Sequence, residues 1–175
     1  MKASKFISIS DDEVGQLSNR QQLLKSINGL TREGIEDYQV AFCILEIDHF
    51  KRYIDFHGRK EGEHCLQQIA DCMKVFLNGR QGEIQRLSEE KFVCFFMDIS
   101  RDTSVPLMNN MREAIENLNL KFCCEQHSFH ITSSVGGVHD VVSQFKDMAE
   151  MLVIAEEELY QAKSTGYNNV KIKFK

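Results

Sequence analysis

Two uninterrupted apolar runs, Val40 to Leu45 and Phe92 to Met97, constrain this chain more than any other feature. A strand that is apolar at every position has no face to give to water. Each run must therefore lie inside a sheet that is covered on both sides. Six residues is far short of the roughly 20 that cross a bilayer, so no membrane span is expected. The 175 residues, 42% of them hydrophobic, suffice for one core without a disulfide or metal staple. One domain over residues 12–175, after a lead-in of residues 1–11, is the expected organisation. The opening MKASKFISIS has no apolar stretch of leader length, which predicts a cytoplasmic protein.

The formal charge of −5 and the lack of a basic block argue against a nucleic-acid binder. Six cysteines at 43, 65, 72, 94, 123 and 124 form no C-x-x-C pair, and Cys43 and Cys94 sit inside the apolar runs. Reduced, mostly buried thiols are the expectation, with Cys123-Cys124 the pair to test for reactivity.

Helices and strands alternate. Ser18 or Asn19 can cap a short helix carrying Leu23, Leu24 and Ile27 that Gly29 closes. Residues 38–46 read as a central strand. From Glu61 a helical spacing follows through Leu66, Ile69, Ala70, Met73, Phe76 and Leu77. Residues 83–87 and 91–99 read as a hairpin with Ser88-Glu89-Glu90 at its tip. Ser104 and Pro106 are expected to open a helix continued by Met111, Ile115 and Leu118. One strand over 129–138, an amphipathic helix from Met148 to Ala162 and a strand over 170–174 complete the pattern. The sum is an α+β or α/β sandwich of one sheet with helices over it.

The chemistry-bearing stretch is Glu46-Ile47-Asp48-His49-Phe50-Lys51, at the end of the first strand. Two acids flanking one residue, followed by a lysine, can hold a hard cation beside phosphate oxygens. Taken alone, they describe a solvated loop in which Asp48 caps a helix. Glu89 and Glu90 at the hairpin tip, taken alone, describe a charged turn. If the two strands are neighbours, Glu46 and Glu90 converge.

Taken together these segments resemble the GGDEF domain, which makes cyclic di-GMP from two GTP. Asp12-Glu-Val14-Gly-Gln-Leu17-Ser-Asn19-Arg20 is similar to the family's entrance, and Glu46 through Lys51 to its D-x-D-x-F-K. Asp55, Gly58 and Gly62 fall in its N-D-x-x-G-H-x-x-G-D run, and Arg86-Leu87-Ser88-Glu89-Glu90-Lys91-Phe92 stands for R-x-G-G-D-E-F. Ser134 to Val138 is similar to its S-I-G-V-A strand, and Leu159 to Val170 to its L-Y-x-A-K-x-x-G-R-N-x-V ending. The resemblance implies a palm-like nucleotidyl cyclase fold of the α+β class, with a mixed sheet of about five strands flanked by helices on both sides. It implies Glu46, Ile47 and Glu90 as magnesium ligands, and Glu90 and Lys51 as catalytic residues. It further implies Asp55, Glu63, Ser88, Glu89, Lys51 and Lys163 at the nucleotide, and Arg80 and Glu83 as an inhibitory-site-like pair set one residue too close to the signature. GTP or cyclic di-GMP, a homodimer partner and a sensor or effector protein or domain are the implied partners.

The signature departs from the pattern. Ser88 and Glu89 replace the glycines that let the hairpin close on phosphates, and Glu89 adds repulsion. Ile54 replaces a guanine-reading asparagine, Glu63 an aspartate, Arg59 a histidine and Tyr167 a phosphate-binding arginine. Lys91 replaces an acid. Residues 90 and 91 start on opposite strand faces, so Lys91 is expected to curl over the tip to neutralise the acids, leaving magnesium weakly held. The expected function is regulatory, in a domain that has lost catalysis. The alternative is an active cyclase with a divergent site.

Overall fold

A computed structural model of the chain describes residues 38–124 and 127–175. The entrance motif and the helix expected after Asn19 lie outside these residues, as do the side chains of Cys123 and Cys124.

The first apolar run forms β1 (Gln39–Ile47), in which every residue after Gln39 is buried. After a left-handed His49 come α1 (Phe50–His57) and α2 (Arg59–Lys74), then β2 (Gly82–Arg86) and β3 (Lys91–Met97). Next are α3 (Arg101–Glu116), β4 (Lys121–Cys124), β5 (His127–His130), β6 (Ser133–Val141), α4 (Met148–Ser164) and β7 (Val170–Phe174). The central sheet has the order β2-β3-β1-β6-β7, antiparallel except for the parallel β6–β7 pair. The apolar runs thus lie side by side within the sheet, each flanked by a strand on both edges.

β1 divides the core by parity, as a period of two requires. Ala41, Cys43, Leu45 and Ile47 face a cluster that includes Leu66, Ile69 and Met73 of α2 and Met108, Met111 and Ile115 of α3. Val40, Phe42 and Ile44 face Met151, Leu152, Ala155 and Leu159 of α4. Burying side chains such as Phe42, Phe95 and Phe96 stabilises by about 1.5–3 kcal/mol each. Asp147 caps α4, its carboxylate accepting the Glu150 amide at 2.9 Å.

Four sequence readings need correction. The helix read from Glu61 is α2, and a separate helix that the sequence pattern does not delimit, α1, precedes it. Gly58, at φ 87°, separates the two in a conformation that side chains resist. The helix assigned to Ser104 and Pro106 starts at Arg101, because Ser100 and Thr103 close its first turn and Pro106 lies inside it. The strand read over 129–138 is two strands. Ile131 donates its amide to Leu120, and Thr132 turns to Asp48, which carries the chain from a small β4–β5 sheet into the central one. Among the described residues there are accordingly two sheets rather than one.

Candidate functional site

Glu46 is the last even-numbered residue of β1, so its side chain leaves the sheet on the α4 side. Its partner in the β1–β3 register is Lys91. Paired residues in an antiparallel sheet share a face, and Lys91 Nζ lies 3.3 Å from Glu46 Oε2. No curling over the tip is needed: the register alone places the ammonium. Lys163, in the last turn of α4, donates to Oε1 of the same carboxylate. Both oxygens of a side chain only 9% exposed are therefore held by lysines.

The hairpin tip closes against this clamp. The Ile47 amide donates to the Glu90 carbonyl at 2.8 Å, which ties the strand end to the tip. Burial raises the Glu90 carboxyl above its ordinary value and the nearby Glu46 charge adds to it, with Lys163 and Lys91 opposing. Burial acts to lower the pKa of the Lys163 ammonium, but its bond to Glu46 and the charges of Glu46, Tyr167 and Asp48 together outweigh that, and the pKa is raised. Arg86 holds the tip from below, donating to the carbonyls of Ser88 at 3.0 Å and Glu89 at 3.1 Å. The Leu87 and Ser88 amides are spent on the Lys91 carbonyl. Glu89 is exposed.

The donor set does not fit a divalent cation. A metal needs unshared carboxylate oxygens, and those of Glu46 already have ammonium partners. Among the described residues no group of three acid, histidine or cysteine side chains is placed to hold a metal ion.

Asp48 is neither solvated nor a helix cap. It is 1% exposed and accepts from Thr132 Oγ1 at 2.8 Å, Ser134 Oγ at 2.8 Å and the Asn168 amide at 3.0 Å. Asn168, left-handed at φ 44°, also accepts from Arg112 at 2.6 Å and donates to Glu116 at 3.0 Å. The Arg112 bond holds the Glu116 carboxyl below its usual range, with help from Asn168. This network fixes the turn that carries Tyr167, whose ring lies 4.6 Å from that of His49 and 5.6 Å from Lys163 Nζ. Sequence reasoning missed the network. Its only trace is an acid two residues past Glu46 and the hydroxyl-rich Thr132-Ser133-Ser134.

The remaining candidates lie apart from the clamp or on the surface. Lys51, Asp55 and Glu63 are exposed, and Glu63 pairs with Arg59 at 3.5 Å on the outer face of α2. Ile54 lies over Gly62, where a Cβ would meet its Cγ1 and Cδ1. Arg80 turns back to the Phe76 carbonyl at 3.1 Å, while Glu83 accepts from Gln85.

A mixed five-stranded sheet whose central strand ends in a carboxylate beside a hairpin tip defines a nucleotidyl-cyclase-type domain. The family model described as "Diguanylate cyclase, GGDEF domain" matches residues 9–169, and the chain belongs to the GGDEF family. The GGDEF domain of DgcB from Caulobacter crescentus, in complex with c-di-GMP, superimposes with a TM-score of 0.70 at 19% identity, over 90% of this chain and 89% of that one. Diguanylate cyclase SiaD from Pseudomonas aeruginosa, in complex with its activator SiaC, gives 0.70 at 22%, over 89% and 58%. The FimX GGDEF domain from the same species gives 0.71 at 15%, over 89% and 93%. Among curated proteins, an uncharacterized membrane protein of Staphylococcus saprophyticus is 26% identical over 168 residues, 91% of this chain and 44% of that protein. One from Staphylococcus aureus strain USA300 is 24% identical over 160 residues, with the same coverage. This chain therefore spans less than half the length of those relatives. No helix among the described residues is long and apolar enough to cross a membrane.

Proposed function

We propose that this GGDEF domain is catalytically silent and serves as a regulatory module in cyclic-dinucleotide signalling, as one domain over residues 12–175. Nucleotide binding, protein binding or dimerisation would then be its output. The observation that carries this reading is the engagement of both Glu46 oxygens by Lys91 and Lys163, where the family's chemistry requires a metal ligand. Magnesium supplies activation of the attacking hydroxyl and charge neutralisation in that chemistry. A carboxylate committed to two ammonium groups does not offer it a place. The spent amides of Leu87 and Ser88 support the same reading, since they are unavailable to phosphate oxygens. Relatives named as membrane proteins support a role at the signalling end of a membrane-associated protein, with a sensor or effector domain as partner.

A second reading, an active cyclase with a divergent site, is favoured by two side chains. Ile54 is folded onto Gly62, and Glu89 is solvent-exposed, so two expected obstacles to nucleotide are relieved. Incubation with GTP and either magnesium or manganese, followed by chromatography, separates the readings. The silent domain yields no cyclic di-GMP above a no-enzyme control; turnover above it establishes the cyclase.

A further inference from the structure

Charge around the hairpin tip can be counted residue by residue. Glu46, Glu89 and Glu90 bring three negative charges. Lys91 and Lys163 act on the same carboxylates, and Arg86 grips the tip carbonyls, bringing three positive charges. These six groups at the tip balance; Asp48, whose charge also acts on Lys163, is met separately by three hydrogen-bond donors. An acid at position 91, which the resemblance to the family calls for, would leave four negative charges against two positive ones. That deficit of two equals the charge of a single divalent cation.

We infer that the Lys91 ammonium replaces a divalent cation in this site, so that the site holds a phosphate-bearing ligand directly on Lys91 and Lys163, independently of metal. This rests on the silent-domain reading and names the ligand class and the counterion of the same site. The ammonium groups suit the task. Lys91 is 34% and Lys163 29% exposed at the side chain, so each faces Glu46 on one side and solvent on the other. An ammonium group has three N–H donors to offer, and one bond to Glu46 leaves two for phosphate oxygens. Beside Lys163 lies the Tyr167 ring, 40% exposed and 4.6 Å from that of His49. Lys51 forms no ion pair among the described residues and stands on the second position of α1, two residues beyond His49. A magnesium-bound polyphosphate carries two fewer negative charges than a free one, so metal should not help such a site.

Isothermal titration with GTP and with inorganic pyrophosphate, each in excess EDTA and in excess magnesium, tests the inference. The expected result is binding to wild type in EDTA that magnesium leaves equal or weakens. Lys91→Glu should lose about tenfold or more in EDTA and recover in magnesium, a change of about one power of ten in Kd. Lys91→Met, which keeps the aliphatic stem, should lose the EDTA binding without the recovery; melting curves confirm that both variants fold. Binding to wild type that requires magnesium, absence of binding for both probes, or unchanged metal dependence in Lys91→Glu would overturn it. Product formation is scored separately. Cyclic di-GMP from wild type defeats the silent-domain reading, whereas magnesium-dependent binding without product defeats only this inference.

Discussion

Gly136→Ala is expected to cost at least about 3 kcal/mol of stability, the upper range for overpacking of a close-packed core. Gly136 lies in β6 where α4 crosses, and a methyl group there would overlap the Leu159 amide nitrogen and the Ala155 carbonyl oxygen. Those are helix backbone atoms, which cannot rotate aside as a side chain can. The helix must lift, and with it the contacts of Met151, Leu152, Ala155 and Leu159 with the sheet. Lys163 rides on the same helix, so its bond to Glu46 loosens as well. For a domain of this size the loss corresponds to roughly 6–12 °C in Tm. The neighbouring Gly137→Ala meets the Sδ and Cε atoms of Met108, a flexible side chain end, and should cost less. Thermal melts of the two variants check both the size and the order.

Asp48→Ala should be nearly as damaging. The substitution leaves the buried Ser134 hydroxyl and the part-buried Thr132 hydroxyl and Asn168 amide without their acceptor. Each stranded donor costs about 1–3 kcal/mol, so a total of about 3–5 kcal/mol is expected after relaxation. Asp48→Asn keeps one acceptor oxygen and should fall between. Replacing the exposed Asp55 by alanine should change stability by less than about 0.5 kcal/mol. Urea denaturation of the three variants gives the ranking; equal losses for Asp48 and Asp55 would contradict the buried-hub description.

The fold is legible where hydrophobic pattern and length agree. The two apolar runs become β1 and β3, adjacent as expected, and Met148 to Ala162 becomes the body of α4. Legibility fails where local polarity hides structure. The eight residues of α1 carry only a short stripe, Phe50, Tyr53 and Ile54, little more than one turn long, so the pattern before Gly58 is too brief to announce a helix. Pro106 suggests a helix start because its ring fits a first turn, yet the Ser100–Thr103 pair has already closed that turn. At the site, the identity of Lys91 is readable but its placement is not. Strand parity at the tip separates it from Glu90, and only the register with β1 shows that it stands opposite Glu46. The resemblance makes Lys163 a phosphate contact, and what it does not show is that the same ammonium also binds Glu46. The Asp48 network joins residues up to 120 positions apart, a juxtaposition that no local pattern encodes.

If lysines occupy the electrostatic place of the metal, magnesium affinity must depend on the side chain at position 91. Titrating magnesium into wild type and into Lys91→Glu, without nucleotide, measures that dependence. No saturable binding to wild type is expected at millimolar metal. Saturable binding is expected for the variant, in which Glu46, Glu90 and the introduced carboxylate form a set with too little positive charge beside it. Tight magnesium binding to wild type, or no gain in the variant, would show that Lys91 is a surface residue of the hairpin and not the counterion of its site.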